Sequence, residues 1–223
     1  MIAENVIIYP DVVFERNIIV EEFCLLGKPT RGHQAGDLPT HIGARSLIRS
    51  HSVIYAGTII GEDFRSGHGV LIREDNCIGN DVSVGTHSVL EFGNRIGNRV
   101  RIHSHCFLEW VTVEDDVFIG PHVVFTDDPH PMHCPKFNEC VGGATVKRLA
   151  RIGANVTLLP GVVVGRNSLV GAGSVVVEDV PDDTVVAGNP ARPIKRVADL
   201  RCGMGFFEKV YDWAPYQPEK EGP

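Results

Sequence analysis

The sequence is poor in aromatic residues and contains no long hydrophobic run. Phe, Trp and Tyr make up 7% of the 223 residues, and without a stretch of about 18 apolar residues no membrane span is expected. Basic residues are outnumbered, with 21 Lys and Arg against 28 Asp and Glu, which argues against a nucleic-acid partner. No export signal opens the chain, so we expect a cytoplasmic protein whose six scattered cysteines stay reduced.

A six-residue repeat dominates the chain. An aliphatic residue, often followed by glycine, recurs at Ile42, Ile48, Ile54 and Ile60, and again from Ile72 to Leu108. A five-residue step then shifts the repeat to Val113, Ile119 and Phe125. This period fits neither an α-helix nor an alternating strand.

Three six-residue sides would close one triangular coil of 18 residues. Stacked coils would pair their backbones about 4.8 Å apart and bury the aliphatic residues in a continuous column. The sequence therefore predicts an all-β solenoid, a parallel β-helix, of eight or nine coils. The phase also places Asn76 and Asn94 inside, one coil apart.

Two polar segments interrupt the repeat, at residues 27–41 and 127–145. Their Gly and Pro content is typical of loops, and long loops in compact domains are commonly functional. We expect a β-helix domain over residues 1–184 that carries both loops. Residues 185–223 would form a C-terminal segment with a short helix within 197–213 and a tail.

The hexads IGNDVS, IGNRVR and IGANVT, together with the segment AGNPARPIKR, resemble the left-handed β-helix hexapeptide acyltransferases. The stretch from Ile48 to Ser88 resembles the branch of that family that N-acylates amino sugars on nucleotide carriers. The resemblance implies a left-handed parallel β-helix and a homotrimer with active sites between subunits. It also implies acetyl-CoA, or a related acyl-CoA, as co-substrate.

The 18-residue phase sorts the outward side chains into columns. One turn position carries His51, Gly69, His87 and His105, and His122 joins it after the five-residue step. The adjacent corner is acidic, with Glu91, Glu109, Asp127 and Asp128. Because imidazole titrates near neutral pH, His105 is a candidate general base. Glu91 is expected either to hold the ammonium of an acceptor or to orient His105.

His130, in the segment TDDPHP, is the leading candidate base. It resembles the His-Pro segment that carries the catalytic histidine in sugar O-acetyltransferases of this family. The same loop also contains His133, Cys134 and Cys140, and thiolate with imidazole is zinc's preferred ligand set. Our main expectation is that no metal is bound, and zinc is the alternative, in which His130 would be a ligand instead of the base.

Ala154 and Ala172 fall at one corner, one coil apart, with Gly173 beside them. Small side chains there leave room for a pantetheine arm, and the resemblance implies that this is the donor groove. The segment 185–223 is the expected donor-binding segment. Its cations Arg192, Lys195 and Arg196 are expected to hold the donor's phosphates through charge-assisted hydrogen bonds. In the first loop, Lys28, Arg31 and His33 are candidates to bind a nucleotide diphosphate on the acceptor.

The predicted function is acyl transfer from acyl-CoA to the amine of a nucleotide-linked amino sugar. A sugar O-acetyltransferase is the close alternative. A γ-type carbonic anhydrase would use His87 and His122 as zinc ligands, with Asp127 at the place of the third. A non-catalytic trimeric scaffold is the remaining possibility.

Overall fold

The computed structural model describes residues 1–211, Trp213, Pro215 and Tyr216. In these residues the chain forms three sheets, parallel except for the last strand of the third, and the sheets make the faces of a triangular prism. Most strands are short because a corner follows after two or three residues. The all-β prediction is confirmed, and nine strands in the first sheet correspond to the expected number of coils.

The first sheet contains the strands Ile7–Ile8, Leu25–Lys28, Val53–Tyr55, Leu71–Ile72, Val89–Leu90, Phe107–Leu108, Val124–Phe125, Thr157–Leu158 and Val175–Val176. The second contains Val12–Phe14, Thr40–Ile42, Ile59–Ile60, Cys77–Ile78, Arg95–Ile96, Thr112–Val113, Thr145–Val146 and Val163–Val164. The third contains Ile19–Val20, Leu47–Ile48, Arg65–Ser66, Ser83–Val84, Arg101–Ile102, Phe118–Ile119, Arg151–Ile152, Leu169–Val170, Thr184–Gly188 and Ala191–Arg196. The helices are Phe137–Cys140 and the 3-10 turn Val197–Asp199.

The register between strands confirms the 18-residue coil. Leu71 pairs with Val89, 18 residues later. Arg95 pairs with Thr112, one residue closer, because the corner after Leu108 has lost a residue. The five-residue step in the sequence is therefore a shortened corner that leaves the strands in register.

The aliphatic column forms the core. Ile54, Ile72, Leu90 and Leu108 are fully buried, each contributing about 1.5–3 kcal/mol relative to exposure. Ile2 and Ile8 belong to the same series but remain 42% exposed. They lie in the first coil, which has a neighbouring coil on one side only.

Two asparagines form the expected amide ladder inside the solenoid. Asn94 Nδ2 donates to Asn76 Oδ1 over 2.8 Å, and Asn94 Oδ1 accepts from the Val111 backbone over 2.9 Å. Both side chains are fully buried. Asn94 thereby provides a partner for the Val111 N–H at the shortened corner, where a buried backbone donor must be hydrogen-bonded.

Both loops leave the solenoid at the corner between the first and second sheets. The first spans residues 29–39, since flanking strands extend to Lys28 and start at Thr40. It returns to the solenoid surface, where Thr30 Oγ1 donates to Glu74 Oε1 over 2.8 Å. The second runs from Thr126 to Ala144 and contains the helix Phe137–Cys140.

The C-terminal segment continues the third sheet. Thr184–Gly188 pairs in parallel with Leu169–Val170, and Ala191–Arg196 folds back on it antiparallel. The domain boundary predicted after residue 184 therefore falls inside a strand. The helix predicted within 197–213 is reduced, in the described part of that range, to the 3-10 turn Val197–Asp199. Most of the tail, residues 217–223, lies outside the described residues.

The corner between the second and third sheets is a ladder of ion pairs. Arg45 pairs with Asp63 at 2.6 Å, and Arg99 with Asp116 at 2.6 Å. The exposed Arg45–Asp63 pair contributes little to stability, whereas the Arg99–Asp116 pair includes a buried carboxylate. Because these pairs join successive coils, we interpret this corner as stabilising the stack of coils. Among the described residues no helix has the length and apolar character needed to cross a bilayer.

Candidate active site

The corner between the third and first sheets, which we call the histidine corner, carries His51, His87, His105 and His122. All four have a left-handed backbone, with φ between 56° and 64°. Gly69 holds the same position with φ 61°, and a Cβ there would lie 2.6 Å from His87 Cδ2. The prediction of one turn column is thus confirmed, and the glycine leaves room for the His87 ring.

Three imidazoles of this corner form a stack. The His105 and His122 rings are parallel within 4°, with centroids 4.9 Å apart. The His87 ring meets His105 edge-on at 5.4 Å. All three residues are exposed, so their free ring nitrogens are accessible to a substrate.

The same corner continues upward into the predicted donor groove. Asn155 and Gly173 follow His122 in the positive-φ position, with Ala154 and Ala172 beside them. The Asn155 N–H donates to the Pro121 carbonyl over 2.9 Å, and the Gly173 N–H to the Ala154 carbonyl over 2.8 Å. Ala154 therefore lies one coil, about 4.8 Å, above the turn that carries His122.

A groove of about 380 Å³ runs along this corner on the third sheet. Its lining includes Ala172, Arg151 and Tyr211. The predicted donor-groove residues Ala154 and Gly173 are not part of that lining and lie at the adjacent corner. Arg151 is only 4% exposed, and its Nε and Nη1 have no hydrogen-bond partner among the described residues. Its guanidinium lies 3.9 Å from the Tyr211 ring centroid. Sequence reasoning missed Arg151, because only the folded C-terminal segment brings tyrosines over it.

The corner between the first and second sheets, which we call the acidic corner, holds Glu74, Glu91, Glu109, Asp127 and Asp128. Arg73 bridges two of these carboxylates, at 2.8 Å to Glu74 and 2.8 Å to Glu91. Glu91 is therefore engaged with a cation. His105 lies at the other edge of the first sheet, so within one chain the structure does not bring Glu91 and His105 together.

Glu109 has the most perturbed carboxyl group of the acidic corner. Partial burial, reinforced by the nearby charges of Asp127 and Glu91, raises the pKa of Glu109 to about 7, although Arg73 opposes the shift. A carboxyl group that titrates near neutrality is suited to proton exchange or to binding an ammonium group. Sequence reasoning placed Glu109 in the acidic column but gave it no role.

The predicted acceptor-binding residues lie at and near the start of the first loop. Lys28 Nζ lies 5.6 Å from the Tyr55 ring centroid, next to Arg73 on the same ring. His33 faces Asp37 at 3.8 Å within the loop, and Arg31 is exposed. Of the three, Lys28 is the one that a described contact places beside the acidic corner, through the Tyr55 ring that it shares with Arg73.

The predicted phosphate-binding cations lie on the last strand, Ala191–Arg196, and all three are exposed. Arg192 pairs with Glu178 at 3.3 Å, which offsets part of its charge. Lys195 lies opposite Val185 in the antiparallel pairing, and Arg196 opposite Thr184. The strand thus places Lys195 and Arg196 at the end of the third sheet, on which the groove also lies.

In the second loop, His130, Cys134 and Cys140 lie together. Their potential ligand atoms all fall within 4.8 Å of one another, and His130 Nδ1 is 3.9 Å from Cys140 Sγ. His133 does not join this cluster. The cluster of His130, Cys134 and Cys140 is the only group of three metal-ligating side chains found among the described residues. The set His87, His122 and Asp127 forms none, because Asp127 lies at the acidic corner.

Comparison with known proteins agrees with the repeat. Residues 143–177 match the family model described as "Bacterial transferase hexapeptide (six repeats)". The galactoside O-acetyltransferase of Escherichia coli (strain K12) is 39% identical over 92 residues, 40% of this chain and 45% of that protein. A 2,3,4,5-tetrahydropyridine-2,6-dicarboxylate N-acetyltransferase of Clostridium perfringens (strain SM101 / Type A) is 63% identical over 46 residues, 21% of this chain and 20% of that one.

Among solved structures, the UDP-N-acetylglucosamine acyltransferase of Francisella novicida matches with a TM-score of 0.59 and 17% identity, covering 88% of this chain and 70% of that one. This likeness concerns the fold, and it confirms the predicted left-handed parallel β-helix. The chain spans less than half of the length of the two curated relatives named above. The repeat, the three-sheet prism and these matches together show a hexapeptide-repeat solenoid with the fold of a left-handed β-helix, and parts of the chain are similar to acetyltransferases.

Proposed function

We propose that this protein is an acyl-CoA-dependent acyltransferase that transfers an acetyl or similar acyl group to an amine or hydroxyl of a sugar. One observation carries the proposal: the imidazole stack of the histidine corner continues directly into the small-residue corner of Ala154 and Ala172. A base and a site for a thioester arm thus lie on one edge of the solenoid. The relatives named acetyltransferases support the same reaction.

The donor's pantetheine arm would lie along Ala154, Ala172 and Gly173, where small side chains expose the backbone. Lys195 and Arg196 would hold its phosphates on the same side, and Arg151 would face it from the groove floor. An arm directed down this corner brings the thioester toward the turn of His122.

In the reaction, the acceptor nitrogen or oxygen attacks the thioester carbonyl carbon while an imidazole takes its proton. The C–S bond then breaks, and the CoA thiolate leaves and recovers a proton from the imidazolium. Such a positioned base accelerates the attack by about 10²–10⁴-fold. We assign the base to the His105–His122 pair, and His130 as the base stays a prediction from the resemblance.

For the acceptor, the acidic corner supports an amine. Glu109 and Asp127 would favour an ammonium group before it loses its proton, and Glu91, already paired with Arg73, would add to the negative charge around it. Lys28, beside the same corner, would meet a carrier diphosphate. The proposed first acceptor class is therefore a nucleotide-linked amino sugar. The second is a sugar hydroxyl, which the relatives named O-acetyltransferases support.

The two corners lie at opposite edges of the first sheet. His87 and Glu91 are separated by four residues of mostly extended chain, about 13 Å, so one chain does not enclose a small acceptor between them. We propose a homotrimer in which the acidic corner of one subunit faces the histidine corner of the next. The proposal locates the enzyme in the cytoplasm and needs no nucleic-acid partner.

The decisive experiment measures thiol release from acetyl-CoA with a panel of nucleotide-linked amino sugars and hydroxyl-only sugars. His122→Asn and His105→Asn should lower kcat, at least one of them by about 10²-fold or more, while CoA affinity stays near that of the wild type. His51→Asn, at the same corner but below Gly69, is the matched control and should remain active.

Two outcomes would contradict these assignments. Absence of thiol release with every acceptor would reject the acyltransferase itself. Full activity of the His105 and His122 variants, combined with an inactive His130→Asn, would move the base to the second loop.

A further inference from the structure

We propose that the second loop binds a zinc ion through His130 Nδ1, Cys134 Sγ and Cys140 Sγ. His130 lies in a bend, Cys134 lies before the helix and Cys140 ends it, yet their ligand atoms lie within 4.8 Å of one another. The proposal is independent of acyl transfer, since no step above uses a metal.

The one short separation in this group is close to that expected around a metal ion. Around a tetrahedral zinc, with bonds of about 2.0–2.3 Å, neighbouring ligand atoms are roughly 3.5–3.8 Å apart. The His130 Nδ1 to Cys140 Sγ distance of 3.9 Å is close to that value. The six cysteines are all free, so Cys134 and Cys140 are not joined in a disulfide that would remove their ligand atoms.

The chemistry of the donor set selects zinc. Two thiolates and one imidazole are the ligand types that zinc prefers, whereas magnesium and calcium prefer oxygen. With three ligands from the chain, the fourth position of a tetrahedral ion remains for water.

Little packing supports the part of the loop around these three residues. Its helix Phe137–Cys140 has no buried residue and no side-chain cap, and its salt bridge between Lys136 and Glu139 is exposed. The Gly142 N–H to Asp127 carbonyl bond, 2.8 Å long, closes the base of the loop. Above that closure, Cys134 and Cys140 are half-buried while most of their neighbours are exposed. A metal joining three points would fix the part that packing leaves unsupported.

Zinc at this place changes the role of His130. Its Nδ1 is then committed to the ion, so the ring cannot accept a proton there, and the base remains with the His105–His122 pair. The ion would hold the loop next to the acidic corner, from which the loop emerges.

The test is metal content, measured on the full chain purified with a tag that binds no metal. Inductively coupled plasma mass spectrometry should find about one zinc per chain, retained through dialysis against a weak chelator. Cys134→Ser, Cys140→Ser and His130→Ala should each lose most of it. His133→Ala, in the same loop, and Cys77→Ser, in the solenoid, are matched controls and should keep it.

Cobalt substitution supplies a second readout that does not depend on activity. The wild type should show the intense visible bands of tetrahedral Co²⁺ and a thiolate charge-transfer band, and Cys140→Ser should lose intensity in both. Circular dichroism of each variant should stay that of the wild type, because the loop lies outside the solenoid.

Three results would overturn the inference: a chain free of zinc after growth in zinc-rich medium, equal zinc loss in His133→Ala and Cys134→Ser, or a Cys134–Cys140 disulfide detected by mass spectrometry in the freshly reduced and purified protein. None of these would affect the thiol-release assay, so failure of the metal site and failure of the acyltransferase are distinguishable.

Discussion

At the scale of single residues, Glu109 shows how the surroundings at a solenoid corner shift the pKa of a side chain. It sits at the shortened corner after Leu108, where the chain has three residues in place of four, and where Asp127 of the next coil comes near. Burial and like charges together raise the pKa of Glu109 to about 7. The same carboxyl group in an open, fully solvated corner would be ionised throughout the neutral range.

This shift predicts a pH-dependent stability. Because the folded state holds the Glu109 proton more tightly than the unfolded chain, stability should fall as the pH rises from about 4.5 to about 7. Glu109→Gln should remove this loss and be more stable than the wild type at alkaline pH, by about 1 kcal/mol after allowing for solvent screening. Urea unfolding at acid and alkaline pH measures it, with the exposed Glu4→Gln as control. An identical pH slope in wild type and Glu109→Gln would contradict the prediction.

At the scale of the structural element, the corner is the working unit of this fold. Strands of two or three residues leave little choice of side chain, since the inward positions are fixed by the core. The corners repeat the same backbone in every coil, so side chains from successive coils line up in columns. One column became a histidine stack, another an acidic cluster and the third an ion-pair ladder.

The asparagine ladder is the element that secures the shortened corner. Asn94→Ala should leave the Val111 N–H and the side-chain Oδ1 of Asn76 buried without partners, at a cost of about 2–4 kcal/mol. Asn80→Ala is the matched control, since the exposed Asn80 Oδ1 accepts from the Glu62 backbone over 2.9 Å. It should cost less than about 1 kcal/mol. Chemical denaturation compares the two, and equal costs would show that the interior ladder has no special role.

At the scale of the whole molecule, the proposed reaction depends on a second copy of the chain. The histidine corner, with the proposed donor site above it, and the acidic corner lie at opposite edges of the first sheet, so under this proposal neither completes a site alone. A closed trimer gives each acidic corner a neighbouring histidine corner and creates three equivalent clefts.

This arrangement predicts complementation between two inactive variants. Ala172→Trp should block the donor groove, and a Glu91→Lys, Glu109→Lys double variant should disable the acidic corner. When the two are coexpressed with different tags and purified through both, mixed trimers should regain a measurable fraction of activity. Sedimentation should give three times the mass of one chain. Mixed oligomers as inactive as the parents would show that each site lies within one subunit.

The sequence alone determined the solenoid, because a six-residue period has one simple physical solution. It placed the aliphatic column, Asn76 and Asn94, and the histidine corner correctly, since each follows from counting along a regular coil. The two loops were also located from their composition.

Only the tertiary structure decided which groups meet. Counting cannot show that Arg73 bridges Glu74 and Glu91, that Tyr211 covers Arg151, or that His130 joins Cys134 and Cys140 while His133 stays apart. These contacts depend on rotamers, on loop paths and on a C-terminal strand that reverses direction, and none of them repeats with the coil. A periodic pattern specifies the periodic part of the molecule, whereas its irregular contacts arise from packing between segments far apart in the chain.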